Sequence, residues 1–560
     1  MDEHEPSSKL SRRTFLRAGA IAAAAPALPA LVGSAAAAGQ GAAAAIGPFP
    51  HENLSEATIA GLRAQLDSGQ LTSRALVQMY IDRIGAIDQA GPTLRAVIEL
   101  NPDALAIADA LDTERKAKGP RGPLHGMPIL IKDNIDTADK MLTTAGSLAL
   151  VGSRPTEDAT VARKLREAGA IIMGKTNLSE WANFRSTHST SGWSGRGRQT
   201  RNPYILTHNP CGSSSGSGVA VSANLCVGAL ATETDGSIVC PAHQNGVVGI
   251  KPTVGLTSRA GVVPIAHSQD TIGAHARTVA DAAILLGALT GVDSRDGATA
   301  ASAGKGLTDY TPFLDSNGLR GARIGVARKT FFGYSTEADA IIETAIARMR
   351  DLGAIIVDPA DLPNADAIAS NTGETDVLLY EFKADLNAYL ATRVKNERFP
   401  NAPFVRTLAE AIAFNDGDAQ DEMPYFGQEL FHQAQAKGPL TEQAYLDALA
   451  KNRRLGGQEG IDAALDTYKL DALIAPTGQP AWPTDLRNGD HFLGASSSPA
   501  AIAGYPLVTV PAGYSYGLPV GITFMGRAWS EPTLIKLAYA FEQGTKARRV
   551  PQFLASDELP

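Results

Sequence analysis

Cysteine is scarce in this chain, with Cys211, Cys226 and Cys240 the only three among 560 residues. The number is odd, the spacing is wide and there is no C-x-x-C, which argues against a disulfide scaffold and against a thiolate metal site. Small buried apolar residues are the expected role for at least two of them. Cys211 with His208, or Cys240 with His243, is the only pairing in sequence that hints at a thiol hydrolase, and such partners are usually distant in the chain. Metal spacing is missing too: His125, His188, His208, His243, His267 and His275 form no H-E-x-x-H or other paired pattern, so no metal and no cofactor are expected. The net charge of −8 lacks the basic footprint of a nucleic-acid binder, and no nucleic-acid partner is expected. Beyond Ala38 no run reaches the roughly eighteen apolar residues of a membrane helix. What remains, 44% hydrophobic and 19% charged, is ordinary globular composition with length for a large core.

The first residues stand apart. Ser11-Arg-Arg-Thr-Phe-Leu-Arg17 precedes an Ala/Gly/Pro-rich apolar run broken by Pro26 and Pro29, and Ala35 to Ala38 offers a small-residue cleavage site. This pattern suggests a twin-arginine export signal over residues 1–38, with the mature protein periplasmic or secreted. A twin-arginine route exports folded protein, so the fold is expected to form under reducing conditions.

Residues 39–560 read as one α/β catalytic domain. Between Leu54 and Asp88 two helices are expected, the second capped by Thr72 with Leu76, Met79, Tyr80 and Ile84 on one face. Pro123 to Ile131 reads as a strand, after which polarity jumps at Lys132-Asp-Asn134, placing Lys132 at a strand end. A helix over Thr160–Ala168 and a strand over Ala170–Met173 follow. Val219–Leu230 reads as a buried helix, and Thr278–Leu289 as an amphipathic one. Strand, helix and strand follow at Arg323–Ala327, Glu337–Asp351 and Ala354–Val357. Residues 364–466 are helical in pattern and suit a cap over the active face. Alternation returns at Leu470–Ala475, Leu507–Val510 and Val520–Phe524, closed by a helix over Glu531–Gln543. The pattern predicts a large mixed sheet with helices on both faces.

The chemistry concentrates between Pro210 and Gly249. Gly212-Ser-Ser-Ser-Gly216-Ser-Gly218 is a turn whose glycines permit close backbone approach. A phosphate loop would need a Lys-Ser/Thr ending that is missing here. Its partner is Thr234-Asp-Gly-Ser237, a second tight turn. With Lys132 these residues suggest a hydrolase that uses neither histidine nor metal. Taken singly, Lys132 is equally a surface lysine, Ser213 a turn former and Ser237 a helix cap.

Gly126-Met-Pro-Ile-Leu-Ile-Lys-Asp-Asn134, Ile172-Met-Gly-Lys-Thr-Asn177, Gly212-Ser-Ser-Ser-Gly216, Asp235-Gly-Ser-Ile238 and Gly249-Ile-Lys-Pro-Thr253 resemble the amidase signature family. So do Ala475-Pro-Thr477, Ala503-Gly-Tyr-Pro506 and Gly517-Leu-Pro-Val-Gly521. The resemblance spans nearly all of the mature chain. Leu178-Ser-Glu-Trp-Ala-Asn-Phe184, Cys211-Gly-Ser-Ser-Ser215, Glu233-Thr-Asp-Gly-Ser-Ile-Val-Cys-Pro241 and Leu379-Tyr-Glu-Phe-Lys-Ala384 are similar to the bacterial peptide amidases within it. Those enzymes remove the terminal amide of peptide amides.

That resemblance implies a Ser-Ser-Lys triad of Lys132, Ser213 and Ser237, an acyl-enzyme on Ser237, and a cis peptide before Ser213. It implies that Thr234, Asp235 and Gly236, with Ser237, supply the oxyanion donors. Asp235 stands where the commoner family pattern has glycine, and Val239 where many relatives have arginine. Without that arginine a carboxylate clamp is not expected, in keeping with a neutral amide terminus. Trp181 and Phe184 are candidates to line the substrate pocket, with core packing the commoner role for such residues. The expected activity is hydrolysis of peptide C-terminal amides by a monomer or homodimer. The alternatives are a general carboxamide, aryl acylamide or ester hydrolase, the transamidating subunit that amidates charged tRNA, a binding protein that kept the fold without the chemistry, and a cofactor protein exported by the same route.

Overall fold

The computed structural model describes residues 48–557. The twin-arginine segment and its cleavage tract lie outside the described residues.

Eleven strands form one mixed sheet. In chain order they are β1 (Val97–Leu100), β2 (Pro128–Lys132), β3 (Ile171–Thr176), β4 (Gly228–Glu233), β5 (Val248–Lys251), β6 (Thr271–Ala276), β7 (Arg323–Val326), β8 (Ile355–Val357), β9 (Ala472–Pro476), β10 (Leu507–Ser515) and β11 (Leu518–Met525). Across the sheet the order is β1-β3-β2-β4-β6-β5-β10-β11-β9-β7-β8. β2 runs parallel to both neighbours, β3 and β4. The middle of the sheet is antiparallel, and β9-β7-β8 is parallel again. Every residue of β2 is buried. A strand covered on both faces reads as a continuous apolar run, which is why Ile129-Leu-Ile131 shows no alternation.

Helices surround this sheet, as the sequence pattern predicts. Thr72 caps the helix Ser73–Arg83 by accepting from the Ala75 N–H. Thr278 does the same for Val279–Leu289 through the Asp281 N–H. Elsewhere the expectation needs correction. The apolar run 219–230 is not one helix: α1 covers Ser215–Ser222, Asn224 turns the chain at φ 58°, and the rest becomes β4. Short apolar segments do not distinguish a buried helix from a buried strand. The strand expected from Pro123 starts only at Pro128, because Gly126 takes a left-handed turn at φ 81°.

Between β8 and β9 the chain is mostly helical, as its pattern predicts. Two further helices matter for the site: α2 (Val239–Gln244), which follows the Thr234–Ser237 turn, and α3 (Gly373–Ala391), the longest in the helical region. α3 is tied to the sheet side. Tyr389 Oη donates to Asp136 Oδ1 at 2.8 Å, and Arg393 just beyond the helix pairs with the same carboxylate at 3.0 Å. α3 also packs into an aromatic cluster in which Trp181 meets Phe431 and Phe184 meets Phe382 edge-on.

Candidate active site

The parallel neighbours β2 and β4 end side by side, and their last residues build the site. Lys132 closes β2 with its side chain wholly buried. Its Nζ donates to Ser213 Oγ at 2.8 Å and to Thr232 Oγ1 on β4 at 2.8 Å, with the Thr232 carbonyl at 3.4 Å. Asn134 Nδ2 donates to the same threonine hydroxyl at 3.0 Å. Burial pulls the Lys132 ammonium down to about 7, although Asp270 and Glu233 favour the charge. Lys175 and Lys251 are also buried and also lowered by burial, but each holds a backbone carbonyl within 2.5 Å, of Ile135 and Tyr505 respectively. Lys132 differs in that its two short bonds go to hydroxyls.

Each serine of the glycine-serine run has a separate bond. Ser214 Oγ donates to the Thr232 carbonyl at 3.0 Å, Ser215 Oγ to the Cys211 carbonyl at 2.5 Å, and Ser217 Oγ to the Leu230 carbonyl at 2.9 Å. Ser213 is the one whose hydroxyl meets Lys132. The Gly212–Ser213 peptide is cis, as the resemblance implies. At Gly216 a Cβ would lie 2.3 Å from the Ala96 carbonyl oxygen and 2.5 Å from that of Asn177, so α1 can only approach this closely without a side chain there.

The second turn stacks directly on the first: Ser214 N–H donates to the Ser237 carbonyl at 3.3 Å. Gly236 sits at φ 76°, the left-handed conformation that this tight turn requires. Glu233, buried at the end of β4, accepts from Ile238 N–H at 2.6 Å and Val239 N–H at 2.9 Å, fixing the entry to α2. Ser237 is 8% exposed while Lys132 is fully enclosed, so the turn faces an opening and the lysine lies behind it. Thr234 is pinned by its hydroxyl to Asp270 Oδ1 at 2.6 Å. Asn134, Thr232, Thr234, Val263, His267 and Asp270 are among the residues lining a cavity of about 430 Å³ beside these turns.

The structure thus brings Lys132 against Ser213 and sets Ser237, Thr234, Asp235 and Gly236 on the adjoining turn. It places Trp181 and Phe184 in the aromatic cluster of the helical region, both buried; of the two residues between them, Ala182 is the one that reaches the cavity wall. Thr232 and Asn134 were not anticipated. A threonine near a strand end and an asparagine beside a lysine carry no signal that separates them from ordinary strand and turn residues.

The cysteine expectation is overturned. Cys211 and Cys240 form a disulfide, and Cys226 is the buried free thiol. The spacing along the chain is wide, but α1 and β4 fold back between the two residues and bring the turns together. The bond rules out a thiol nucleophile at Cys211 or Cys240. It links the loop that carries Ser213 to the helix that follows Ser237, and Trp482 packs on it.

Comparison with known proteins agrees with this architecture. The Amidase family model matches residues 75–535, and the chain belongs to that family. It is 46% identical to a probable amidase of Arabidopsis thaliana over 90% of this chain and 93% of that protein. It is 35% identical to a glutamyl-tRNA(Gln) amidotransferase subunit of Chloroflexus aurantiacus, over 87% of this chain and 96% of that protein. Among solved structures, native peptide amidase from Stenotrophomonas maltophilia superposes with a TM-score of 0.83 at 55% identity, covering 90% of this chain and 99% of that one. The protein is an amide-hydrolysing enzyme.

Proposed function

We propose that this enzyme deamidates peptide C-terminal amides through an acyl-enzyme on Ser237, with Ser213 and Lys132 as a proton relay. The observation that carries the reading is the Lys132 amine, wholly buried, 2.8 Å from the Ser213 hydroxyl and lowered to about 7. An ammonium has three protons to donate, and three acceptors surround Nζ. The neutral amine has two, which Thr232 Oγ1 and the Thr232 carbonyl take, so its lone pair faces Ser213. A serine hydroxyl is a weak nucleophile until a base removes its proton. Ser237 Oγ attacks the amide carbon as its proton passes to Ser213 Oγ and the Ser213 proton passes to Lys132 Nζ. Backbone N–H groups in the Thr234–Ser237 turn hold the oxyanion. The C–N bond breaks, the relay returns a proton to the nitrogen, and ammonia leaves. Water, deprotonated by the same relay, then cleaves the Ser237 ester and releases the acid.

The peptide-amide preference is supported by likeness to the Stenotrophomonas peptide amidase and by Val239, which offers no charge to clamp a carboxylate. Ammonia release from a panel of peptide amides, free peptides and simple amides tests it. Release from peptide amides and not from free peptides is expected. Release from small aliphatic amides alone overturns the substrate and leaves the hydrolase. A tight amide complex without turnover points instead to a silent binding protein. A Ser237→Ala enzyme that keeps wild-type turnover overturns the mechanism.

We also propose that residues 1–38 direct export by the twin-arginine route. The disulfide between Cys211 and Cys240 supports a destination outside the reducing cytosol. Replacing both Arg12 and Arg13 by lysine is expected to retain the uncleaved protein in the cytoplasm. Unchanged export of that variant contradicts the assignment.

A further inference from the structure

Asp235 stands two residues before Ser237, and the structure gives its side chain a defined set of partners. Oδ1 accepts from Ser497 Oγ at 2.5 Å, and Oδ2 accepts from Ser498 Oγ at 2.7 Å. Glu374, on the first turn of α3, lies within hydrogen-bond reach of the same carboxylate. Two carboxylates this close need a proton between them. Gln269, 1% exposed, completes the arrangement: its Nε2 donates to Glu374 Oε1 at 2.9 Å and reaches the Thr234 carbonyl at 3.4 Å. A continuous set of bonds therefore runs from the helical region to both Thr234 and Asp235, the residues that precede Gly236 and Ser237.

We propose that Glu374 is a positioning residue that, as a neutral acid donating to Asp235, holds the Thr234–Ser237 turn in the geometry the oxyanion needs. The inference rests on the reading of that turn as the oxyanion site. The side chain of Asp235 is directed into this network and couples the turn to α3. Burial, with the Asp235 charge added, raises the Glu374 carboxyl well above its ordinary range, so that it holds its proton at neutral pH. The other charges that face the pair are Glu233 on β4 and Lys251 on β5. Asp270, bonded to the Thr234 hydroxyl, and Lys132 stand next in the same surroundings. When pH rises enough to take the proton from Glu374, two carboxylates repel and the turn loses its hold.

The test compares kcat and KM across pH 6 to 10 for the wild type, Glu374→Gln and Glu374→Ala, on whichever carboxamide the wild type turns over. In the wild type kcat is expected to fall on the alkaline side. Glu374→Gln keeps a donor for Asp235 and an acceptor for Gln269 but has no proton to lose. It should retain kcat at neutral pH within about threefold and lack the alkaline fall. Glu374→Ala should lower kcat by about tenfold or more with KM little changed. An alkaline limb that persists unchanged in Glu374→Gln, or a Glu374→Ala enzyme with wild-type kcat, overturns the inference. Ser237→Ala is run alongside. If it is dead while both Glu374 variants behave as wild type, only this inference fails; if it is active, the reading of the turn fails.

Discussion

Lys132 illustrates how little separates a structural lysine from a candidate base. Burial lowers Lys132, Lys175 and Lys251 alike. The difference lies in what each amine touches, and for Lys132 that is a pair of hydroxyls. Thr232→Val removes one of them with little change in volume. The lysine would then lose the acceptor that aims its lone pair at Ser213. A fall in kcat of about 10- to 100-fold is expected, with KM nearly constant, in steady-state kinetics on a carboxamide. Retention of full kcat would mean that the serine alone orients the amine. Lys132, Ser213 and Ser237 are singled out in the sequence by the family resemblance, since the end of an apolar run and two glycine-bearing turns leave each of them equally open to a structural role. Thr232, Gln269 and Glu374 are not. Each is bonded to a partner far along the chain, and local pattern holds no trace of that pairing.

Among the elements, the site is the end of β2, the turn that follows β4 and the glycine-serine turn that opens α1. The disulfide between Cys211 and Cys240 ties those turns to each other. Cys240→Ser is expected to lower stability by about 2–4 kcal/mol and to reduce kcat, read by thermal melting and initial rates, and reductant should add nothing further. The same bond was hidden in the sequence, since an odd count at wide spacing reads as buried thiols. The strands β2, β9, β10 and β11 were legible from apolar runs. The division of 219–230 into α1 and β4 was not, because helix and strand are equally apolar there.

α3 docks through a second polar cluster. His267 lies beside Asp385 at 2.8 Å and Glu381 at 3.4 Å, and the hydrogen bond to Asp385, with both negative charges, raises the imidazole above 6.5. A raised folded value means that the imidazolium stabilises docking fully below about 6.5 and that this contribution is lost as pH rises through the folded value. Hydrogen exchange in α3 of the wild type should therefore quicken as pH rises through that window, once corrected for intrinsic rates, whereas His267→Gln should show no such change. Equal behaviour of the two proteins would contradict it.

In the molecule as a whole, the eleven-stranded sheet gathers distant parts of the chain, and the two ends of the described fold meet. Arg548, in the last segment, donates to Glu56 through Nε at 2.7 Å and Nη2 at 2.8 Å, and to the carbonyls of Gly246 and Ser222 at 2.7 and 3.0 Å. Arg548→Ala should cost about 2 kcal/mol, seen as a lower Tm with kcat retained. An unchanged Tm would show that this closure adds nothing. The mixed sheet with helices around it was legible from the alternation of elements. Its strand order was not, because β6 and β5 lie between β4 and β10 through antiparallel pairings that local pattern does not encode.

The pH dependence of kcat/KM on a carboxamide substrate tests whether Lys132 is the base. The proposed relay requires the neutral amine of Lys132, so kcat/KM should rise with pH through an apparent pKa near 7, and Lys132→Met should abolish that limb together with nearly all activity. A profile flat from pH 5 to 9, or a Lys132→Met enzyme that keeps the wild-type limb, would contradict the account.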